Sequence, residues 1–277
     1  MTHSVTHTCK SCGNNFTGNF CNECGEKVLH KSDRSFKKFI GSIFKAITFA
    51  DSTFLKTLWL TLKNPGFLSK EFVEGRRVKY LKPLSLFFVL NLAYFFFPVI
   101  QLFNASLNTQ LRSSLYLLSI KKFYATTVAS KAASMGIDLQ SFTLIYNLKT
   151  VGFAKLMVMV FVVIASLPLN FFYYKRNRFF TDHIDYMVEL ACFNLLVNAI
   201  ALSIVASFTG VGKYLNETSL TVIFISTNLY FLIRSSAVFY NEKGVLLIFK
   251  SMVMILFLKI ALEVYRSVLF FVTIWSL

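Results

Sequence analysis

Twenty consecutive residues, Leu84 to Phe103 (LSLFFVLNLAYFFFPVIQLF), carry no charge. As a helix rising about 1.5 Å per residue, that run covers roughly 30 Å, the hydrocarbon thickness of a bilayer. Further apolar runs follow at 153–174, 186–208, 220–240 and 245–275. The expected fold class is an all-α polytopic membrane protein with about five transmembrane helices and a small N-terminal zinc ribbon. The expected division is a ribbon at 1–30, basic juxtamembrane helices at 31–83 and a transmembrane helical bundle at 84–277.

Composition agrees. With 55% hydrophobic and 17% aromatic residues, 32 of them Phe, and a mean hydropathy of +0.58, the chain is too apolar for an ordinary soluble fold. The net charge of +16 is uneven: residues 1–83 hold 14 of the 29 Lys and Arg against 6 of the 13 acids. Because this basic segment adjoins a span, anionic lipid headgroups are the expected partner rather than nucleic acid. Residues 1–30 lack the apolar core of a signal peptide, so Leu84–Phe103 is expected to act as an uncleaved signal anchor.

Cys9-x-x-Cys12 and Cys21-x-x-Cys24 are separated by eight residues. Two such knuckles can place four thiolates around one ion at Zn–S distances near 2.3 Å. Gly13 and Gly25 follow the second cysteine of each pair, where a tight knuckle favours a residue that tolerates positive φ. Two disulfides or a redox CxxC are the alternatives, and the paired spacing with matching glycines favours zinc. A four-cysteine site has no position for water, so it is structural, and metal binding would supply most of the folding energy of so short a segment. His3, His7 and His30 fall outside a ligand set that is already complete.

Phe36, Phe39, Ile40, Ile43, Phe44 and Ile47 recur at helical spacing, with Lys37, Lys38 and Lys45 on other faces. That pattern suits either an amphipathic helix in the headgroup region or one packed on the bundle. Phe54–Leu62 predicts a second short helix containing Trp59, stopped by Asn64-Pro65-Gly66. Arg76, Arg77, Lys79 and Lys82 then form a basic, lipid-facing flank that orients the N-terminus toward the cytoplasm. Taken together, Cys9, Cys12, Cys21, Cys24, Pro65, Gly66, Glu71, Phe72, Gly75, Arg76, Arg77, Tyr80 and Pro83 resemble the pattern of an uncharacterised bacterial domain-of-unknown-function membrane family. The resemblance covers residues 9–100 and continues by hydropathy, with Asp182-His183 also similar. Cys192 and Asn194 stand where that family often carries histidines. It implies a bacterial inner-membrane location and this architecture, and no activity.

Lys175, Arg176 and Arg178 after the second span are expected on the cytoplasmic side, which leaves 104–152 as an extracytoplasmic helical loop despite Arg112, Lys121, Lys122, Lys131 and Lys149. Near the C-terminus, Lys259, Glu263 and Arg266 fall within about 60° on a helical wheel. They form a salt-bridged stripe if 245–275 is one tilted helix; alternatively the helix ends near Lys259 and the tail lies in the interface. Glu189 sits deeper than Asp182 and Asp185, and ionic pairing inside the bundle with Arg234 or Lys250 is expected. His183 is a candidate for titration near neutrality.

No catalytic motif stands in a convincing context, so an enzyme is not expected. Two readings remain. One is a scaffold, docking or regulatory protein with a structural Zn2+ ribbon that engages lipids and a protein partner, with homo-oligomers open. The other is a small transporter or channel built on the intramembrane charges Glu189, Arg234, Lys250, Lys259, Glu263 and Arg266.

Overall fold

A computed structural model of the chain describes residues 6–9, 11–25, 28, 52–76, 79–96, 103–104, 106–112, 118–210, 212 and 216–277. The chain divides after Leu55 into two compact units. In the first, strands β1 (Thr6–Thr8) and β2 (Asn15–Thr17) pair antiparallel in the register Thr6↔Thr17, His7↔Phe16, Thr8↔Asn15. A lone two-stranded hairpin is marginal in water. This one closes over Phe16, Cys9 and Cys21, with Val28 packed alongside. The helix expected over 36–47, and Arg77, lie outside the described residues.

From Ser52 the described chain is helical. Three short helices come first, α1 (Ser52–Lys63), α2 (Phe67–Val73) and α3 (Pro83–Phe96), followed by α4 (Leu107–Arg112) and α5 (Leu118–Ser134). The long elements are α6 (Leu139–Phe172), α7 (Phe180–Asn194) continuing through a π-helical stretch at Leu195–Ala201 into α8 (Leu202–Thr209), α9 (Glu217–Phe239) and α10 (Gly244–Ser276). Among the described residues, four helices, α6, the continuous Phe180–Thr209 unit, α9 and α10, are long and apolar enough to cross a membrane. The protein is thus a helical membrane protein with a cysteine cluster at its N-terminal end.

Two of the expected spans need comment. Of the first apolar run, Pro83–Phe96 is helical over about 21 Å; residues 97–102, the rest of the expected span, lie outside the described set. Its buried side is Leu86, Leu90 and Tyr94, while Leu84, Phe88 and Leu92 are exposed. The next span is corrected at its start. Residues 139–152, expected as part of an external loop, are the first turns of α6. Asp138 caps that helix by accepting from the backbone N–H of Gln140 and Ser141 at 3.0 and 3.2 Å, and the hydrogen bonds from Ser141 and Gln140 hold its carboxyl below the usual range. Phe142, Tyr146, Thr150, Ala154 and Val158 then turn inward at every fourth position, one uninterrupted stripe. Lys149, one of the charges of the expected loop, reaches the Ser276 carbonyl of α10 with its ammonium.

Helix α10 packs along α6, α7 packs on α6 and α3, and α9 packs on α10. Tyr265 donates to the Ala154 carbonyl at 2.9 Å and so ties α10 to α6. At the end where α6 begins, Leu107, Tyr124, Val128, Phe142, Tyr146 and Phe270 join α4, α5, α6 and α10 in one apolar cluster. The opposite end carries the 173–179 and 240–243 connections together with α2.

Candidate functional site

The four N-terminal cysteines converge. Cys9 Sγ lies 3.4 Å from Cys24 Sγ and Cys12 Sγ lies 3.6 Å from Cys21 Sγ, and all four sulfurs fall within 4.8 Å of one another. A tetrahedron with metal–sulfur bonds near 2.3 Å has sulfur edges of about 3.8 Å, so the set fits a single ion; a disulfide would need about 2.05 Å. Both knuckles close by the same turn. Gly13 N–H donates to the Cys9 carbonyl at 3.0 Å and Gly25 N–H to the Cys21 carbonyl at 2.9 Å, with φ of 76° and 75°. Amide donation from Cys12 and Ser11 brings the Cys9 thiol down to about 6, and donation from Cys24 lowers Cys21. Thiolates are the metal-binding form.

Within the bundle, the deepest carboxylate is Glu189, fully buried on α7. Oε1 accepts from Gly66 N–H at 2.8 Å, and Oε2 accepts from Ser69 N–H at 2.8 Å and from the Ser69 hydroxyl at 2.5 Å. The first turn of α2 would otherwise leave those amides unsatisfied in an apolar setting. Expected ionic pairing with Arg234 or Lys250 is therefore corrected. Arg234 is exposed, and Lys250 bonds Glu242 at 3.1 Å. Buried amides supply hydrogen bonds to a carboxylate without the desolvation penalty of a second charge.

Gly66 makes this contact feasible. Its φ is +83°, and a Cβ there would stand 2.7 Å from the Ser235 carbonyl oxygen on α9. The Pro65–Gly66 turn is thus lodged between α7 and α9. Beside it, Tyr186 Oη lies 2.5 Å from Ser235 Oγ and 3.1 Å from Ser236 Oγ, and His183 Nδ1 lies 2.7 Å from Tyr240 Oη. Tyr240 stacks on Tyr173 at 3.6 Å with the rings 2° from parallel.

Glu242, in the turn between α9 and α10, binds Arg176 at 3.2 Å and Lys250 at 3.1 Å, and Lys250 sits 4.6 Å above the Tyr173 ring. Burial opposes its charge, but the hydrogen bonds and charges of Lys250 and Arg176 outweigh that and hold its carboxyl below the usual value. A depressed carboxylate stabilises the fold above its unfolded pKa and loses that contribution as pH falls through the folded one. The stability gap between the native chain and Glu242→Gln should be constant from neutrality to about pH 5 and shrink below about pH 4.5. Thermal melts in detergent across that window check this; a gap that widens in acid contradicts the pairing.

The remaining charges are placed as follows. Glu263 Oε1 accepts from Lys259 at 2.9 Å and Arg266 at 3.4 Å along one helical face of α10. Arg76 holds both Glu71, at 2.6 Å, and Glu74, while Lys79 and Lys82 are exposed. Cys192 is buried, its thiol 3.7 Å from the Pro83 carbonyl.

Residues 51–95 match the protein family described as "Protein of unknown function (DUF3667)". No curated protein and no solved structure matches the chain. The matched stretch includes the Pro65–Gly66 turn, Ser69 and the Glu71–Arg76 pair, and so contains the segment that Glu189 anchors.

Three features escaped the sequence. Ser69 looked like any helical serine. Glu242 was passed over as a turn residue, although it lies eight positions from Lys250. Asn194, Asn198, Thr227 and Asn228 form a buried network at the π-helical stretch, with Asn194 and Asn228 exchanging reciprocal amide bonds at 2.9 Å. Four amide or hydroxyl residues in otherwise apolar helices were the available signal.

Proposed function

We propose that this chain is a multi-pass protein of a bacterial cytoplasmic membrane, with its N-terminus inside and its N-terminal cysteines holding a structural zinc ion, and that the ribbon is a docking module tethered to the bundle. What carries this reading is that the four thiols converge on one another and the buried carboxylates of the bundle already have protein partners. The four thiols complete a tetrahedral set with no position left for a substrate. In the bundle, Glu189, Glu242 and Glu263 each meet protein donors. Zinc is chosen because four sulfurs in a tetrahedron suit it and because it stabilises a fold without redox chemistry.

The cytoplasmic orientation rests on Lys175, Arg176 and Arg178 sharing one end of the bundle with α2, as well as on the basic flank Arg76, Arg77, Lys79 and Lys82, which would face anionic headgroups. A protein partner would meet the ribbon near Phe20, the large apolar side chain it exposes. Self-association through the bundle is compatible with this scheme. A photoreactive amino acid at Phe20 in the full-length protein, in its native membrane, should give one discrete protein adduct that disappears in the Cys9→Ser/Cys21→Ser chain. No adduct removes the docking role. Proton or solute flux in vesicles containing the purified protein, above that of empty vesicles, would instead restore the transporter reading.

A further inference from the structure

Helix α1 is built inside out. Its fully buried residues are Thr57 and Thr61, both 0% exposed, whereas Leu55 and Trp59 are 61% and 62% exposed. The inward hydroxyls are used: Thr57 Oγ1 accepts from Leu81 N–H at 3.1 Å, and Thr61 donates to the Thr57 carbonyl at 3.0 Å. At about 100° per residue, Leu55, Trp59, Lys63 and Lys56 follow one another across roughly a 100° arc, opposite the two threonines. The order along that arc is aliphatic, aromatic, basic. A water-facing helix would place these residues the other way round, with the leucine and tryptophan inside.

From this face we infer that α1 lies in the bilayer interface, with Leu55 and Trp59 at the acyl–headgroup boundary and Lys56 and Lys63 on the phosphates of anionic lipid. Three observations select that occupant. Tryptophan is the residue of the membrane–water boundary, and lysine stems reach from it toward the headgroups. Arg76 pairs with Glu71 and Glu74, and over residues 52–76 and 79–82 the six cations Lys56, Lys63, Lys70, Arg76, Lys79 and Lys82 stand against those two acids alone. The segment therefore presents uncompensated positive charge beside exposed apolar surface. Finally, Glu189 and the close approach of Gly66 to Ser235 anchor the adjoining turn on helices that cross the membrane. The inference rests on the proposed membrane placement and is independent of the docking role of the ribbon.

The chain has two tryptophans, so Trp275→Phe leaves Trp59 as the sole indole. That full-length variant is reconstituted into vesicles containing either brominated phosphatidylglycerol or brominated phosphatidylcholine at equal mole fraction. Trp59 emission should be blue-shifted, protected from iodide, and quenched more strongly by the brominated phosphatidylglycerol. Each lysine is worth up to about a five-fold preference for anionic headgroups, so Lys56→Glu/Lys63→Glu should abolish the difference between the two lipids while leaving quenching in place. Iodide-accessible emission overturns the inference, because the face is then in water. Iodide protection without lipid quenching also overturns it, because protein covers the face. Equal quenching by both lipids before any charge reversal removes the anionic selection. None of these outcomes depends on whether Phe20 cross-links to a partner.

Discussion

Glu189→Ala is expected to destabilise the bundle by about 3–5 kcal/mol, the largest loss foreseen for a single bundle side chain. The substitution removes both carboxylate oxygens at once and leaves Gly66 N–H and Ser69 N–H buried with no acceptor, while the Ser69 hydroxyl keeps only the Asp185 carbonyl at 3.1 Å. Each stranded donor costs about 1–3 kcal/mol. Ser69→Ala removes one of the three bonds and should cost about 1 kcal/mol, and the double variant should be no worse than Glu189→Ala alone. Gly66→Ala reaches the same contact from the other side. It forces an L-residue to φ +83° and drives its Cβ against the Ser235 backbone, for an expected loss of about 3 kcal/mol or more. Unfolding in mixed micelles, followed by circular dichroism, measures all four variants. An ion pair predicts something else: Glu189→Arg would be rescued by Arg234→Glu or Lys250→Glu. Such a rescue, or a Glu189→Ala chain within 1 kcal/mol of the native one, would falsify the amide-capping account.

The second large effect concerns the ribbon. Binding of one structural zinc by four thiolates supplies an apparent 10–16 kcal/mol in short zinc-binding peptides, roughly the whole of their folding free energy. Cys9→Ser, Cys21→Ser, or a strong chelator should therefore abolish bound metal and open residues 1–30 to proteases together, in one step. Metal analysis of the purified chain should find close to one zinc per molecule. Iron at that stoichiometry would replace zinc in the proposal while leaving the four-thiolate geometry intact. Ribbon resistance that survives complete metal removal would contradict the linkage between binding and folding.

Several of these features were legible before any coordinates. Two CxxC pairs, each followed by glycine, implied two matching knuckles, because few backbone turns bring two thiols from one short loop onto one ion; Gly13 and Gly25 do adopt positive φ. The hydropathic runs marked the crossing helices, since burial in lipid demands apolar side chains at nearly every position of a segment. Their ends were harder to place. The span expected from Phe153 begins too late, because α6 runs from Leu139 through Lys149 and Lys155, and a stripe of every fourth residue is enough to bury one face of it.

Partner choice was the part that one dimension could not hold. Glu189 was recognisable as a costly group deep in a helix, and a cation was the obvious answer along the sequence. Backbone amides carry no letter in a sequence, so a cap made by Gly66 and Ser69, more than a hundred positions away, leaves no trace there. Charge, periodicity and cysteine spacing belong to the chain itself and determine what kind of protein it is: a four-cysteine cluster joined to membrane helices. Which buried group satisfies which depends on how those helices pack, and only the tertiary structure decides it, because a hydrogen bond is specified by distance and direction and not by residue type.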